Sequence, residues 1–285
     1  MPQCVRIIDN CVEMLSCTRD ARRAGRVVGL VPTMGALHDG HLSLIRAARN
    51  ETNFVVVSIF VNPTQFGPNE DLDRYPRMRE QDRKLAAEAG ADVTFEPQPA
   101  EMYPEGYATY VYQESLAGRL EGEKRPNHFR GVCTVCTKLF NVVEPDIAYF
   151  GQKDYQQSVI VRRIVRDLNM PLEIKILPTV RERDGLAMSS RNTYLNPQER
   201  QQATCLSRAL SLAQQRVSRG ETESPKVLAA MLEEIEKEPL SRIDYAEIVH
   251  PDTLEPVNQV ETGSVALLAV HIGGTRLIDN AILRL

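Results

Sequence analysis

Long runs of one charge sign are missing from this chain: Lys plus Arg (34) nearly balances Asp plus Glu (38), for a net charge of −4 across 285 residues. A polyanion such as nucleic acid, or an anionic membrane, is therefore a poor partner for the surface as a whole, although a local phosphate pocket remains allowed. The opening MPQCVRIIDN has no apolar signal core, and no later apolar run approaches the ~18 residues that span a bilayer. A cytoplasmic location is expected. Cysteine is sparse, at six (4, 11, 17, 133, 136, 205), and such thiols without a secretion signal are most simply reduced. Cys133 and Cys136 spell C-x-x-C, but no second pair completes a tetrahedral metal site. Val132, Val135, Cys136 and Leu139 recur at helical spacing, which assigns both thiols to core packing.

With 42% hydrophobic and 25% charged residues, the chain has the make-up of a globular protein long enough for two cores. Its organising stretch is VVGLVPTMGALHDGHLSLIRAARN, Val27 to Asn50. The apolar run to Val31 suits a strand buried on both faces, and Pro32 ends its ladder. Past a glycine-bearing turn, His41, Leu44, Ile45 and Ala48 follow the period of one helix face. His38 and His41 thus stand at a helix entrance, where unpaired N–H groups favour anions. A histidine there is commonly only a cap or a packed side chain. Two of them in H-x-G-H, with Gly40 leaving the backbone bare, point instead to a phosphate site. Zinc would find only these two ligands.

The rest of the chain repeats strand, loop and helix. The segment before Gly25 reads as a helix and a lead-in. Phe54 to Val61 is a second buried strand that delivers NPTQFGPNEDLDRYP, where the amides of Asn62 and Gln65 can grip a carboxylate or hydroxyl without adding charge. Asp71, Asp73 and Arg74 read as a solvated loop face. A helix from Pro76 to Ala89 and a strand from Asp92 to Phe95 follow, then RPNHFRG and a helix with Lys138 on its polar side. A strand at Ile147 to Phe150 runs into GQKDYQQ: Gly151 permits close backbone approach, Lys153 supplies positive charge and Asp154 can accept from ribose hydroxyls. Gln157, one turn into the next helix, is placed to face either the site or solvent. After a strand from Glu173 to Leu177 comes PTVRERDGLAMSSRN, in which Ser189, Ser190 and Arg191 suit outer phosphates. Polar clusters at successive strand ends predict an α/β fold with a Rossmann-like, doubly wound parallel sheet. Beyond it, helices over Pro197–Val217 and Pro225–Lys237 precede strands over Asp244–Val249, Val265–Ile272 and Thr275–Asn280, the pattern of a smaller α+β domain. The expected division is 1–180 and 181–285.

The motifs VPTMGALHDGH, VSIFVNPTQF, RPNHFRGV, FGQKDYQQ and DGLAMSSRN, in this order, closely resemble the pantoate–β-alanine ligase (pantothenate synthetase) family of the H-x-G-H nucleotidyltransferase-like superfamily. The likeness runs from about Val27 to Asn192 and more loosely through RLIDN. It implies a cytoplasmic homodimer that joins (R)-pantoate to β-alanine with ATP and Mg²⁺, releasing AMP and pyrophosphate through a pantoyl adenylate, and a C-terminal domain that covers the site. It also implies nucleotide contacts at Met34, Gly35, Ala36, Leu37, His38, Asp39, Gly40 and His41, at Gly151, Gln152, Lys153 and Asp154, and at Val180, Met188, Ser189, Ser190 and Arg191. By the same likeness Gln65 and Gln157 hold pantoate, Gln65 also lies near β-alanine, and His41 is a proton donor. Ligands to the metal are not implied. The family commonly has Glu where this chain has Gln152, so the role of that side chain stays open.

Such a ligase must turn a carboxylate oxygen into a leaving group and stabilise charge on phosphate. His38, His41, Lys153 and Arg191 are the donors at hand. Two other readings use the same features: a nucleotidyltransferase that leaves the nucleotide on its product, and a noncatalytic nucleotide-binding module.

Overall fold

The protein is described by a computed structural model covering residues 5–68 and 70–285, so Cys4 lies outside the described residues. The first half alternates strand and helix: β1 (Arg6–Ile8), α1 (Cys11–Arg23), β2 (Val28–Thr33), α2 (Asp39–Glu51), β3 (Phe54–Ile59), α3 (Arg79–Ala89) and β4 (Val93–Phe95). Short helices α4 (Pro99–Met102) and α5 (Glu121–Lys124) lead to α6 (His128–Val143), β5 (Ile147–Gly151), α7 (Tyr155–Asp167) and β6 (Glu173–Leu177). These six strands form one parallel sheet in the order β1-β4-β3-β2-β5-β6. From β2 the chain winds one way to β3 and β4, and from β5 the other way to β6. The switch point therefore lies between β2 and β5, and ligands in such sheets bind outside the carboxyl ends of those strands.

Burial explains the central strands. All six residues of β3 are buried, and five of the six in β2, because helices cover both faces. Val31, Leu44, Ile45, Ala48, Val55, Val57, Ala86 and Tyr149 belong to one cluster beneath α2 and α3. Cys133 and Cys136 are buried on α6, as the periodicity of that helix requires. The strand β1 has no counterpart in the sequence reading. Three residues are too few to show a period, and its partner β4 lies far along the chain, with Arg6 opposite Val93.

The second half holds α8 (Pro197–Ala203), α9 (Cys205–Ser218), α10 (Ser224–Glu236) and three strands, β7 (Ser241–Val249), β8 (Val265–Ile272) and β9 (Thr275–Ile282), paired antiparallel in that order. The α9 and α10 helices pack on one another, α10 against β7 and α9 against β8 and β9. Their core includes Leu206, Leu210, Met231, Ile235, Leu268 and Val270. The helix expected over Pro197–Val217 is broken at Thr204. There the hydroxyl bonds back to the Gln201 carbonyl, an alternative to continuing the ladder. Two compact units result: Met1–Gly151 with Ile160–Pro178, and Gln152–Val159 with Thr179–Leu285.

Candidate functional site

In the first unit the carboxyl end of β2 opens into a tightly held turn. The Thr33 hydroxyl donates to the Ser58 carbonyl on β3 at 2.7 Å and accepts from the Gly35 N–H at 3.1 Å. Gly35 has φ +81°, where a Cβ would approach the Asp82 carboxylate to 2.9 Å, so the turn requires glycine. Asp82, 1% exposed on α3, accepts from the N–H groups of Ala36 (3.0 Å) and Leu37 (2.8 Å). Burial raises its carboxyl pKa, and those two N–H bonds oppose the shift by favouring the charged form. A carboxylate on one helix thus shapes the loop that leads into another.

That loop delivers His38 as the N-cap of α2, with Asp39, Gly40 and His41 in the first turn. The two imidazoles lie with centroids 4.1 Å apart. The His38 backbone N–H donates to Nδ1 of His41 at 3.4 Å, as half of a reciprocal capping box. A backbone N–H can only donate, so Nδ1 accepts and the proton of the neutral His41 ring is on Nε2. His41 therefore contributes to the cap through Nδ1 and keeps a donor on Nε2. That capping bond sets the tautomer in which His41 presents an Nε2–H at the helix N-terminus, where the dipole adds only ~0.3–1 kcal/mol for an anion.

Gln65 closes a 3₁₀ turn, Pro63–Gln65, that follows β3. Its Nε2 donates to the Met34 sulfur at 3.2 Å, which brings it to the β2 loop. Asn62 caps the turn, accepting from the Thr64 N–H. The α6 helix presses on this turn so closely that a Cβ on Gly131 would lie 2.5 Å from the Thr64 oxygen and 2.6 Å from the Gln65 nitrogen. His128, at the start of α6, has Nδ1 2.9 Å from the Gln65 carbonyl and Nε2 3.1 Å from an Arg125 nitrogen. Arginine only donates, so Nε2 accepts and Nδ1–H holds the carbonyl. Burial first, and then Arg125, push the His128 pKa down to about 4, which keeps the ring neutral. Arg125 is itself held by both oxygens of Glu70, at 3.1 and 2.6 Å.

The chain leaves β5 and enters the second unit in a 3₁₀ turn, Gln152–Asp154. Asn280 on β9 clamps it: its Nδ2 donates to the carbonyls of Gln152 and Lys153, both at 2.9 Å, and its Oδ1 accepts from Gln152 Nε2 at 3.1 Å. Gln152 thus acts as a donor to Asn280, which a carboxylate could not do. Lys153 Nζ lies 3.9 Å from Asp154, whose side chain is half exposed. Gln157 is half-buried on the first turn of α7.

The DGLAMSSRN loop belongs to this unit as well. The Met188 N–H donates to the Val180 carbonyl at 3.0 Å, and Arg181 bridges Ala187, so Val180 and Met188 stand side by side. Gly185 turns the loop at φ +92°. Ser189 caps a 3₁₀ turn, Ser190–Tyr194, by accepting from the Arg191 N–H. Arg181 meets the fully buried Asp279 carboxylate in two bonds, at 2.6 and 3.0 Å, and Arg200 ties Glu182 and Asp184. Among the described residues, no three His, Cys, Asp or Glu side chains are grouped to hold a metal ion, and no helix is long and apolar enough to cross a membrane.

The structure therefore groups Met34 to His41 with Gln65 in the first unit, where Gly151 also lies, and Gln152, Lys153, Asp154, Gln157, Val180 and Met188 to Arg191 in the second. The residues that support the site carry no signal in the sequence. Asp82 sits in REQDRKL, which carries no motif, while His128 lies in RPNHFRGV and Asp279 and Asn280 in RLIDN without a role legible there.

Comparison with known proteins gives these features a family. A family model described as pantoate-beta-alanine ligase matches residues 6–282. The pantothenate synthetase of Pelotomaculum thermopropionicum is 56% identical over 271 residues, 95% of this chain and 96% of the relative. That of Moorella thermoacetica is 58% identical over 263 residues, 92% and 93% of the two chains. The crystal structure of pantothenate synthetase from Thermus thermophilus superposes with a TM-score of 0.94 at 46% identity, covering 99% of this chain and 100% of that one. A pantoate-beta-alanine ligase from Francisella tularensis, complexed with beta-gamma ATP and beta-alanine, gives 0.79 at 33% identity, covering 98% of this chain and 97% of that one. Model and relatives agree over nearly the whole length, and the chain belongs to the pantoate-beta-alanine ligase family.

Proposed function

We infer that this chain is an ATP-dependent ligase that condenses (R)-pantoate with β-alanine to give pantothenate, AMP and pyrophosphate. The observation that carries this reading is the pair of histidines capping α2 at the carboxyl end of β2, with the His41 proton on Nε2, in a chain whose family is named for this reaction. In the first step a pantoate carboxylate oxygen attacks the α-phosphorus of ATP. The new P–O bond forms as the bond to the bridging oxygen breaks, and pyrophosphate leaves. In the second, the amine of β-alanine attacks the acyl carbon. A C–N bond forms, the C–O bond to AMP breaks, and the amine loses its proton.

We assign ATP to Met34–His41 and Gly151 in the first unit, and to Gln152–Asp154, Val180 and Met188–Arg191 in the second. His38, His41, Lys153 and Arg191 stabilise charge on the phosphate oxygens, a role in which one preorganised donor is typically worth ~10²–10³ in rate. His41 gives its Nε2 proton as a hydrogen bond. Gln65 and Gln157 hold pantoate, and Gln65 also meets β-alanine. Uncharged amides leave the carboxylate oxygen free to attack. Mg²⁺ accompanies the triphosphate; the described side chains build no cage for it, and no step is assigned to it. The expected division at 180 is modified in that the second unit also takes Gln152–Val159, so that both units carry residues assigned to ATP and to pantoate. A cytoplasmic homodimer, as the family resemblance implies, completes the proposal.

Labelled substrates test the chemistry. Pyrophosphate should exchange into ATP with pantoate present and β-alanine absent, and one pantoate carboxylate ¹⁸O should appear in AMP once the amine is added. A product that retains the nucleotide would indicate a nucleotidyltransferase instead, and no turnover of ATP would indicate a binding module. Sedimentation equilibrium should return twice the chain mass.

A further inference from the structure

The carboxamides of Asn62 and Gln65 meet, and the backbone decides which way round they stand. The outer oxygen of Asn62, Oδ1, accepts from Tyr103 Oη at 2.8 Å, from Thr64 Oγ1 at 2.9 Å and from the Thr64 backbone N–H at 3.4 Å. Its Nδ2 donates to the Gly131 carbonyl at 3.2 Å and to Oε1 of Gln65 at 3.0 Å. Hydroxyls can serve as donor or acceptor, but an N–H only donates and a carbonyl only accepts. The Thr64 N–H and the Gly131 carbonyl therefore fix the Asn62 amide in one orientation. Asn62 is 1% exposed and Gln65 8%, so turning either amide over would bury mismatched polar atoms. With Oε1 occupied by Asn62, the Nε2 end of Gln65 is what remains, directed to the Met34 sulfur, a weak acceptor. Tyr103 completes the chain. Burial pushes its pKa up to about 12, so its hydroxyl keeps the proton it donates.

We propose that Tyr103 and Asn62 form a one-way hydrogen-bond relay that makes Gln65 a donor-only contact, and that this contact selects the carboxylate of pantoate over uncharged acyl groups. The inference rests on the assignment of Gln65 to pantoate made above. Tyr103 and Asn62 are positioning residues, acting on substrate through Gln65. A flipped Gln65 would turn an acceptor oxygen toward a carboxylate and repel it; the relay removes that state. Specificity then comes from an amide whose orientation is set at a distance, by the main chain.

A double-mutant cycle separates the relay from the assignment beneath it. Gln65→Ala should raise the pantoate KM while leaving that for ATP near the parent value. An unchanged pantoate KM in that variant overturns the assignment of Gln65, and the relay with it. Tyr103→Phe should raise the pantoate KM about threefold to tenfold, the equivalent of one hydrogen bond, and should add nothing further in the Gln65→Ala background. Equal effects of Tyr103→Phe with and without Gln65 would mean that Tyr103 acts on the fold in general, and would overturn the relay. Asn62→Asp gives the sharper reading, because it keeps the outer oxygen but replaces the donating Nδ2 with an acceptor and so forces Gln65 to turn over. The preference of the enzyme for pantoate over its primary amide, used as a competitive inhibitor, should fall at least about tenfold. It should fall less in the Gln65→Ala background, where only the added charge acts. The same fall in both backgrounds would show that charge alone is responsible and that Gln65 carries no orientation.

Discussion

At the residue scale, His41 joins two tasks that are separable in energy. Its Nδ1 accepts one long hydrogen bond from the His38 N–H, a cap contribution of ~1 kcal/mol, whereas its Nε2 proton is the one a phosphate oxygen would accept. His41→Ala should lower kcat by ~10²-fold or more with a shift in melting of only a few degrees; activity within twofold of the parent would refute the assignment. For Lys153 the matched control is Lys84, whose side chain is 75% exposed. Lys138, which the sequence places on a polar face, is half-buried over the rings of Tyr103 and Tyr107 and would disturb them. Lys153→Ala should slow adenylate formation far more than Lys84→Ala, and equal effects would point to general electrostatics.

His128 makes a pH prediction of definite sign. Its folded pKa lies below the ordinary 6.5, at about 4, because burial disfavours the charged ring and Arg125 adds to that. As pH falls below 6.5 the unfolded chain takes up a proton that the folded chain does not, so stability is complete above 6.5 and is lost toward pH 4. The loss is bounded by ~3 kcal/mol. Chemical denaturation from pH 7 to 4.5 should show it, and His128→Gln should remove that part of the slope. A parallel slope in the variant would assign the pH dependence to other groups.

At the element scale, the fit of α6 against the 3₁₀ turn decides where Gln65 stands. Both α6 and the turn are locally specified, one by its apolar stripe and the other by Pro63 and the Asn62 cap. Their distance is not. It is permitted by Gly131, where a methyl group would meet three backbone atoms rather than a side chain able to swing away. Gly131→Ala should therefore cost ~1–3 kcal/mol by overpacking and raise the pantoate KM together with it. A variant of parental stability and KM would show that the elements part without consequence. The β1 strand and the break at Thr204 are the opposite case. Three residues carry no period, and a continuous helical pattern does not reveal a threonine hydroxyl that bonds back to its own helix.

For the molecule as a whole, Cys133 is buried on α6 in the first unit and Cys205 in the core under β8 in the second, so each thiol reports on its own unit. Burial pushes the Cys133 thiol up to about 11 and that of Cys205 up to about 12, so both should react slowly with thiol reagents until their surroundings open. Leu268 is fully buried in the second core. Leu268→Ala should destabilise by ~2–5 kcal/mol and speed labelling of Cys205 more than that of Cys133. Equal acceleration at both thiols would mean that the two units open as one.

The class of fold, the identity of most elements and the family are legible in the residues alone, because hydrophobic period, turn residues and motifs are local and survive reading in one dimension. Val27 to Asn50 could be read as strand, turn and helix with two histidines at its entrance, and the structure has that arrangement. How those groups are aimed is set by tertiary packing. The proton on Nε2 of His41 follows from a backbone N–H three residues away. The bracing of the β2 loop needs Asp82 from another helix, and the hold on the Gln152–Asp154 turn needs Asn280 from the last strand. The orientation of Gln65 needs a carbonyl on α6. Each depends on donors and acceptors meeting at hydrogen-bond range, most of them distant in sequence, and that meeting is a property of packing, which no pattern of residue types encodes on its own.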